Sequence, residues 1–225
     1  MKKTVKLILL VSCVAVLFGC FNVVLQRESQ TSATSNQQST LEILLTAKTA
    51  TKFTSEPVSE EHIIQILSAG LNAPSARNSQ PWQFRVVTNK AILNQINDAM
   101  AAGMPRPAGQ SAPSAPPKKL GLTDATVAIF VYGTNRFSSD PFDCGLATEA
   151  MSIAALSLGY GTKIVSSPTI ALNGEKKADF DKLLQIPEGY SNVAVLLIGH
   201  NDKSVDAVSG ASTRSTMEEK VKFIK

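Results

Sequence analysis

The sequence contains few of the residues that build disulfides and metal centres. Among its 225 residues are three cysteines, two histidines and one tryptophan. The cysteines form no CxxC pair, and His62 and His200 lie far apart, so the spacing of a Cys/His metal site is absent. We therefore expect no metal centre. Only Cys144 lies outside the first twenty residues, and we expect it to be a small buried packing residue.

Acidic residues are also missing from the first 19 residues, which contain three lysines followed by the apolar run Leu7–Phe18. This run is shorter than the roughly 20 apolar residues of a transmembrane helix and has the flanks of an export signal. It ends in Leu-Phe-Gly before Cys20, which resembles a bacterial lipobox. The resemblance implies cleavage before Cys20 and lipidation of its thiol, with several acyl chains giving a stable anchor. An ordinary secretory signal with an incidental cysteine is the alternative.

Removal of residues 1–19 leaves 19 basic and 18 acidic residues, a net charge of +1. The basic composition therefore gives no reason to expect a nucleic-acid partner. Residues 20–40 are rich in Ser, Thr and Gln, which is typical of a flexible tether. Residues 41–225 are long enough for one domain. We expect that domain to lie outside the cytoplasm, on the cell surface or the periplasmic face of a bacterial membrane.

The folded part alternates between helical and extended patterns, which predicts an α/β or α+β domain with a small central sheet. Ser59 is the expected N-cap of the second helix, and Gly159 the stop signal of the long helix. The predicted helices are 41–48, Glu60–Leu71, Lys90–Ala102, Asp143–Leu158 and Glu175–Leu184. The predicted strands are Gln83–Val87, Ala125–Tyr132 and Asn192–Gly199. Residues 103–119 are predicted to form a Pro-rich loop, and Met217–Ile224 a closing amphipathic segment.

Residues 73–84 read APSARNSQPWQF and join a predicted helix to a buried strand. The amides of Asn78 and Gln80 suit hydrogen bonding to the polar edge of a flat heteroaromatic ring, but a rigid turn with Trp82 in the core is an equally good interpretation. The segment resembles the A-P-S-x-x-N-x-Q-P-W-x-F pattern of the nitroreductase family and matches it at every fixed position. The resemblance continues through Asp143–Gly161 and Ile186–Gly199, so it covers about residues 41–225.

The resemblance implies an α+β nitroreductase-like fold with a small central mixed β-sheet flanked by helices. It also implies an FMN cofactor, ping-pong electron transfer through the flavin, and a homodimer with the flavin at its interface. No protein residue is assigned a catalytic role, because the flavin carries the redox chemistry. The residues that the resemblance places near the flavin ring are Pro74, Ser75, Asn78, Gln80, Ile164 and Val165, with Glu149 facing either the flavin or the second subunit.

The phosphate end departs from the family pattern. The family motif R-R-S-V-R-x-F corresponds here to Ala47–Phe53, where only Lys48 keeps a charge among the arginine positions. Lys48, Thr49 and Thr51 are the expected phosphate-side residues. A phosphate monoester near charge −2 favours bidentate guanidinium partners, and this segment has none.

Residues 206–213 read DAVSGAST and precede Arg214. One interpretation is a solvated Ser/Thr turn. The segment also resembles the D-x-x-S-G-A-T/S motif on which exported flavoproteins carry FMN through a phosphoester bond, with Ser212 as the acceptor by register and Thr213 as the neighbouring alternative. A phosphodiester has one negative charge fewer than a monoester, so Lys48 and Arg214 would suffice to bind it.

Together these features predict a membrane-anchored, extracytoplasmic FMN-dependent oxidoreductase with a small-molecule or protein electron partner. NAD(P)H, the donor of soluble relatives, is scarce outside the cytoplasm. The alternatives are a non-catalytic flavin module that relays electrons between exported redox proteins, and a flavin-free lipoprotein that keeps only the fold. We expect His62 to be a solvated helix residue and His200 a loop residue.

Overall fold

The computed structural model describes residues 39–103, 121–202, 204 and 214–224. The export signal, Cys20, most of the tether, most of the Pro-rich loop and the acceptor motif with Ser212 and Thr213 lie outside these residues. The helices and strands occur in the order α1 (Thr40–Thr46), α2 (Glu60–Leu71), β1 (Trp82–Val87), α3 (Lys90–Gly103), β2 (Val127–Thr134), α4 (Asp140–Ser157), β3 (Gly161–Val165), α5 (Thr169–Leu172), α6 (Lys177–Leu183), β4 (Tyr190–Gly199) and α7 (Met217–Lys220).

The four described strands form one sheet in the order β1-β2-β4-β3, and every pair is antiparallel. The α+β prediction is confirmed, whereas the expected mixed pairing is wrong for these strands. The mixed pairing was implied by the resemblance. A continuous apolar run such as that of β2 indicates burial on both faces but does not fix strand direction. Here β2 is buried at all eight residues because helices cover both faces of an antiparallel sheet.

Alternate side chains of β2 enter two separate apolar cores, as the period of a strand requires. Phe130 and Tyr132 pack on one face with Leu93 and Ile96 of α3. Ile129 and Val131 pack on the other face, which is covered by α2 and α4. The sheet thus forms a rigid layer from which α4 and its flanking loops are positioned.

The long helix α4 begins at Asp140, three residues before its predicted start, because Pro141 suits the first turn of a helix. Its predicted stop is confirmed, since Gly159 has a φ of +85°. The helix packs closely on α2: a Cβ at Gly70 would lie 2.6 Å from Cγ of Met151. These contacts place the N-terminus of α4 beside the loop that follows α2.

Two predicted elements differ in the structure, and one strand was not predicted. The predicted helix 175–184 is only seven residues long as α6, after the separate short helix α5. The closing segment is helical only over Met217–Lys220, and strand β3 had no prediction because its five residues carry too short a pattern. The Ser59 N-cap is confirmed: its hydroxyl accepts from the His62 N–H at 3.2 Å.

Within residues 39–103, 121–202 and 214–224, no helix is both long and apolar enough to cross a membrane. The same residues contain no group of three or more His, Cys, Asp or Glu side chains able to hold a metal ion.

Candidate functional site

The loop between α2 and β1 has a strained backbone. Arg77, Asn78 and Gln80 have φ values of 56°, 53° and 44°, in the left-handed region that L-residues rarely adopt. Each such residue costs about 1–3 kcal/mol unless its surroundings hold it there, and such strain is common at binding sites. We therefore expect its surroundings to hold the backbone of loop 75–80 in one conformation. The loop contains no glycine, the residue that usually occupies the left-handed region.

Hydrogen bonds inside loop 75–80 bring the predicted polar residues together. The Ser75 hydroxyl accepts from the Gln80 N–H at 3.0 Å, and the Gln80 amide donates to Oδ1 of Asn78 at 3.1 Å. Pro74, Asn78 and Gln80 are exposed, so their polar groups can reach a ligand. Trp82 is buried at 5% exposure and stacks on Phe84. The core position of Trp82 agrees with a rigid turn, while the exposed amides of Asn78 and Gln80 leave the binding of a flat ring as a prediction.

A second part of the site is a cavity of about 210 Å³ between the end of α1, α4 and β3. It contains five predicted residues: Lys48, Thr49, Glu149, Ile164 and Arg214. We name it the cationic cavity. Its remaining lining residues are Ala47, Ser152, Leu156 and Thr162.

Besides the predicted residues of 74–80, two more lie outside the lining of the cationic cavity. Thr51 is half-buried beyond the cavity edge, and the side chain of Val165 packs against the apolar core on the α3 face of the sheet. Alternation along β3 explains this position, because neighbouring strand residues point to opposite faces. A larger cavity of about 530 Å³ between α3 and α6 contains none of the predicted site residues.

Sequence reasoning missed a buried hydroxyl pair in the cationic cavity. Ser152 of α4 and Thr162 of β3 are each 5% exposed, and their hydroxyls are 3.0 Å apart. The available signal was a serine on the buried face of an Ala-rich helix. Its partner was invisible because β3 was not predicted.

The charges of the cationic cavity suit an anion of low charge. Lys48 and Arg214 supply two cations and Glu149 one carboxylate, which leaves one formal positive charge beside the two hydroxyls. Cations and hydroxyl donors together are typical of phosphate sites. The carboxylate of Glu149 weakens the attraction for a doubly charged monoester and disfavours a strong free-phosphate site.

Cys144 is buried, as predicted, and takes no part in either half of the site. Burial, with a smaller contribution from the neighbouring carboxylates of Asp140 and Asp143, raises the pKa of its thiol to about 12. Desolvation therefore outweighs the thiolate-stabilising effect of a helix N-terminus.

The prediction for His62 is wrong. His62 is half-buried, and its Nδ1 lies 2.6 Å from the Tyr160 hydroxyl. His200 follows β4 as expected, and its ring packs edge-on against Tyr160 at 4.8 Å between centroids. Both histidines contact Tyr160, the residue immediately before β3, and so help to position the start of that strand. Local sequence patterns do not reveal such long-range contacts.

The sequence model of the nitroreductase family matches residues 47–200, which is more than half of the chain. The chain belongs to the nitroreductase family. A relative from Archaeoglobus fulgidus, named as an NADH dehydrogenase/NAD(P)H nitroreductase, is 28% identical over 165 residues, 71% of this chain and 84% of the relative. A relative from Methanothermobacter thermautotrophicus with the same name is 29% identical over 164 residues, 71% and 76% of the two chains.

Solved structures of this nitroreductase family share the fold. A nitroreductase with bound FMN from Desulfitobacterium hafniense has a TM-score of 0.69 at 24% identity and covers 83% of this chain and 98% of its own. Another with bound FMN, from Bacteroides fragilis, has a TM-score of 0.64 at 18% identity, with coverages of 80% and 99%. The family and the fold implied by residues 73–84 are thus confirmed.

Proposed function

We propose that this nitroreductase-family protein is an FMN-dependent oxidoreductase that is exported and held at a membrane through lipidated Cys20. Family membership supports the activity class, and two structural relatives contain FMN. Two separate observations support the proposal: the charged and hydroxyl lining of the cationic cavity, and the outward amides of loop 75–80. One part suits a phosphate and the other the polar edge of a flat ring.

The residues of both parts fit FMN. Lys48 and Arg214 would bind its phosphate, together with the Ser152 and Thr162 hydroxyls, and the Asn78 and Gln80 amides would orient its ring. When bound, FMN supplies hydride and electron transfer. The protein's task is to hold the cofactor and restrict access to it, and no acid or base from the chain is required.

A covalent phosphoester to Ser212 or Thr213 agrees with the charge of the cationic cavity. One net positive charge matches the single negative charge of a phosphodiester better than the double charge of a monoester. Arg214, the residue bonded directly to Thr213, lines the cavity. A covalent bond would also prevent loss of the cofactor outside the cell.

A homodimer is proposed from the apolar side chains on the described surface. Contiguous exposed apolar patches mark interaction surfaces, and Leu41, Leu44 and Leu45 lie on one face of α1 by helical spacing. A second copy of the chain is the partner that the family resemblance favours. The exposed apolar residues are Leu41, Leu44 and Leu45 of α1, Phe142 of α4, and Phe223 and Ile224 near the C-terminus.

The export proposal also concerns the electron donor. The curated relatives are named for NAD(P)H, a cytoplasmic reductant. For a domain outside the cytoplasm we propose a membrane carrier or an exported redox protein as the donor. NADH oxidation by the purified protein at rates matching soluble relatives would argue against this donor.

The decisive experiment is acid precipitation of the full-length protein purified from membranes of its host. We expect flavin fluorescence in the pellet, and its loss in a Ser212→Ala/Thr213→Ala variant. Ser215→Ala is the matched control, because this exposed hydroxyl lies just beyond Arg214 and outside the motif. Flavin in the supernatant would refute the covalent bond but keep the FMN enzyme; flavin in neither fraction would refute the proposed activity.

Lipid attachment has its own readout. Metabolic labelling with a radioactive fatty acid should label the wild-type chain, and Cys20→Ser should abolish the label and release the protein from membranes. An unlabelled wild-type chain would contradict lipid anchoring and leave the flavin result unaffected.

A further inference from the structure

The strained loop 75–80 needs support from outside itself. Its internal hydrogen bonds join Ser75 to Gln80 and Gln80 to Asn78, but they tie the loop only to its own residues. Non-glycine residues persist in the left-handed region only where the surrounding structure determines their conformation. Part of that support must come from a neighbouring element.

Asp143 supplies a contact of this kind. It lies in the first turn of α4, is 2% exposed, and its Oδ2 accepts from the Ala76 N–H at 3.0 Å. A buried carboxylate is costly without such hydrogen bonds, and charged acceptors bind backbone N–H groups more strongly than neutral ones. The contact fixes the residue immediately before the three left-handed positions.

Asp140 supports the same loop indirectly, one turn earlier on α4. Its Oδ2 accepts from the Thr134 hydroxyl at 2.6 Å and from the N–H groups of Arg136 and Phe137 at 3.0 and 3.2 Å. The guanidinium carbon of Arg77 lies over the Phe137 ring, 4.5 Å from the ring centroid. Two carboxylates at one helix end thus reach neighbouring residues of loop 75–80, Ala76 directly and Arg77 through Phe137.

We infer that Asp143 is a positioning residue for the cofactor: it holds the Ala76 N–H and thereby sets the direction of the Asn78 and Gln80 amides. The inference rests on the proposed function for the identity of the ligand, but its structural part concerns the free protein. Because Asp143 is only 2% exposed, it would act on a ligand through the Ala76 N–H rather than by direct contact.

The test is hydrogen–deuterium exchange on the full-length chain, read at the peptide covering residues 73–81. In the wild type the Ala76 amide should exchange slowly. Loss of its acceptor in Asp143→Ala should speed exchange about tenfold, the size expected for one such hydrogen bond. In Asp143→Asn, whose amide oxygen still accepts, exchange should be intermediate. Asp179→Ala is the control, since Asp179 is an exposed acid in the first turn of α6.

Two outcomes of the exchange experiment would overturn the inference. One is a wild-type Ala76 amide that exchanges at the unprotected rate, a measurement that needs no variant. The other is faster exchange in β2 to the same degree as in the loop, which would show that Asp143 only stabilises the fold.

The ultraviolet–visible spectrum of bound flavin is the second readout. We expect this spectrum to shift in Asp143→Ala and to recover partly in Asp143→Asn. A changed loop with an unchanged flavin spectrum would refute positioning of the cofactor. A wild-type protein without flavin would refute the proposed function, while the exchange result would still decide the role of Asp143 in the loop.

Discussion

At the scale of single residues, the carboxylate of Asp140 is fully buried and accepts three hydrogen bonds. A hydrogen bond from the Thr134 hydroxyl is the main cause that lowers its pKa below the ordinary value of 3.8, and the N–H groups of Phe137 and Arg136 add to it. A lowered folded-state pKa stabilises the fold above the unfolded-state pKa, and this stabilisation is lost as the pH falls through the folded value.

We therefore expect Thr134→Val to lower the urea midpoint of unfolding at pH 7, because it removes the first cause of the shift. The difference from wild type should shrink as the pH is lowered from about 4 through the folded pKa, since the carboxylate is then neutral in both proteins. Thr134→Ser keeps the hydroxyl and is the control. A difference that stays constant from pH 7 to pH 2.5 would contradict the assigned cause.

At the scale of elements, β2 and α4 pack in close contact at Gly133 and Cys144. A Cβ at Gly133 would lie 2.6 Å from Sγ of Cys144 and 3.3 Å from Cγ2 of Val193. The strand can lie this close to the helix only because residue 133 lacks a side chain. The contact also explains why a small, unreactive thiol occupies position 144.

We expect Gly133→Ala to lower the free energy of unfolding by about 1–3 kcal/mol through overpacking. Cys144→Ala should restore part of this loss in the double variant, because it removes the clashing sulfur while Val193 remains close. Urea unfolding of the two single variants and the double variant gives the coupling. Gly145→Ala is the matched control: its Cβ would meet nothing within 4 Å, and alanine favours a helix. Strictly additive effects at positions 133 and 144 would refute the proposed clash.

Local patterns located α1, α2, α3, α4, β1, β2 and β4 to within three residues at each end. They missed β3 and α5, which are only five and four residues long. The turn between α5 and α6 has no room for a side chain at Gly174, where a Cβ would lie 2.5 Å from the Ile170 carbonyl oxygen. Loop 75–80 was found because its residues are contiguous. The hydroxyl pair of Ser152 and Thr162, and the bond from Ala76 to Asp143, join distant segments and required the fold.

At the scale of the whole molecule, the exposed apolar C-terminus bears on assembly. Phe223 and Ile224 are 79% and 85% exposed, at the end of a segment whose described residues are all exposed. Burial of each such side chain against a second copy would contribute about 1.5–3 kcal/mol before the entropic cost of ordering the segment.

We expect Phe223→Ser/Ile224→Ser to shift the protein from dimer toward monomer in size-exclusion chromatography with light scattering. Lys222→Ser changes an equally exposed neighbour without removing apolar surface and is the control. The homodimer proposal fails if the wild type is monomeric at micromolar concentration. An unchanged dimer in the double variant would place the interface elsewhere, on α1 or α4.

Strand order has a consequence for the timing of folding. The central pair, β2 with β4, joins Val127 to Ile198, which are roughly 70 residues apart. The chain therefore loses the entropy of closing this long loop before most strand pairs of the sheet can form and stabilise it. A chain translated or exported from its N-terminus lacks β4 until almost all of it has emerged. Under the proposed export, the domain would therefore remain unfolded long enough to be threaded through a translocation channel.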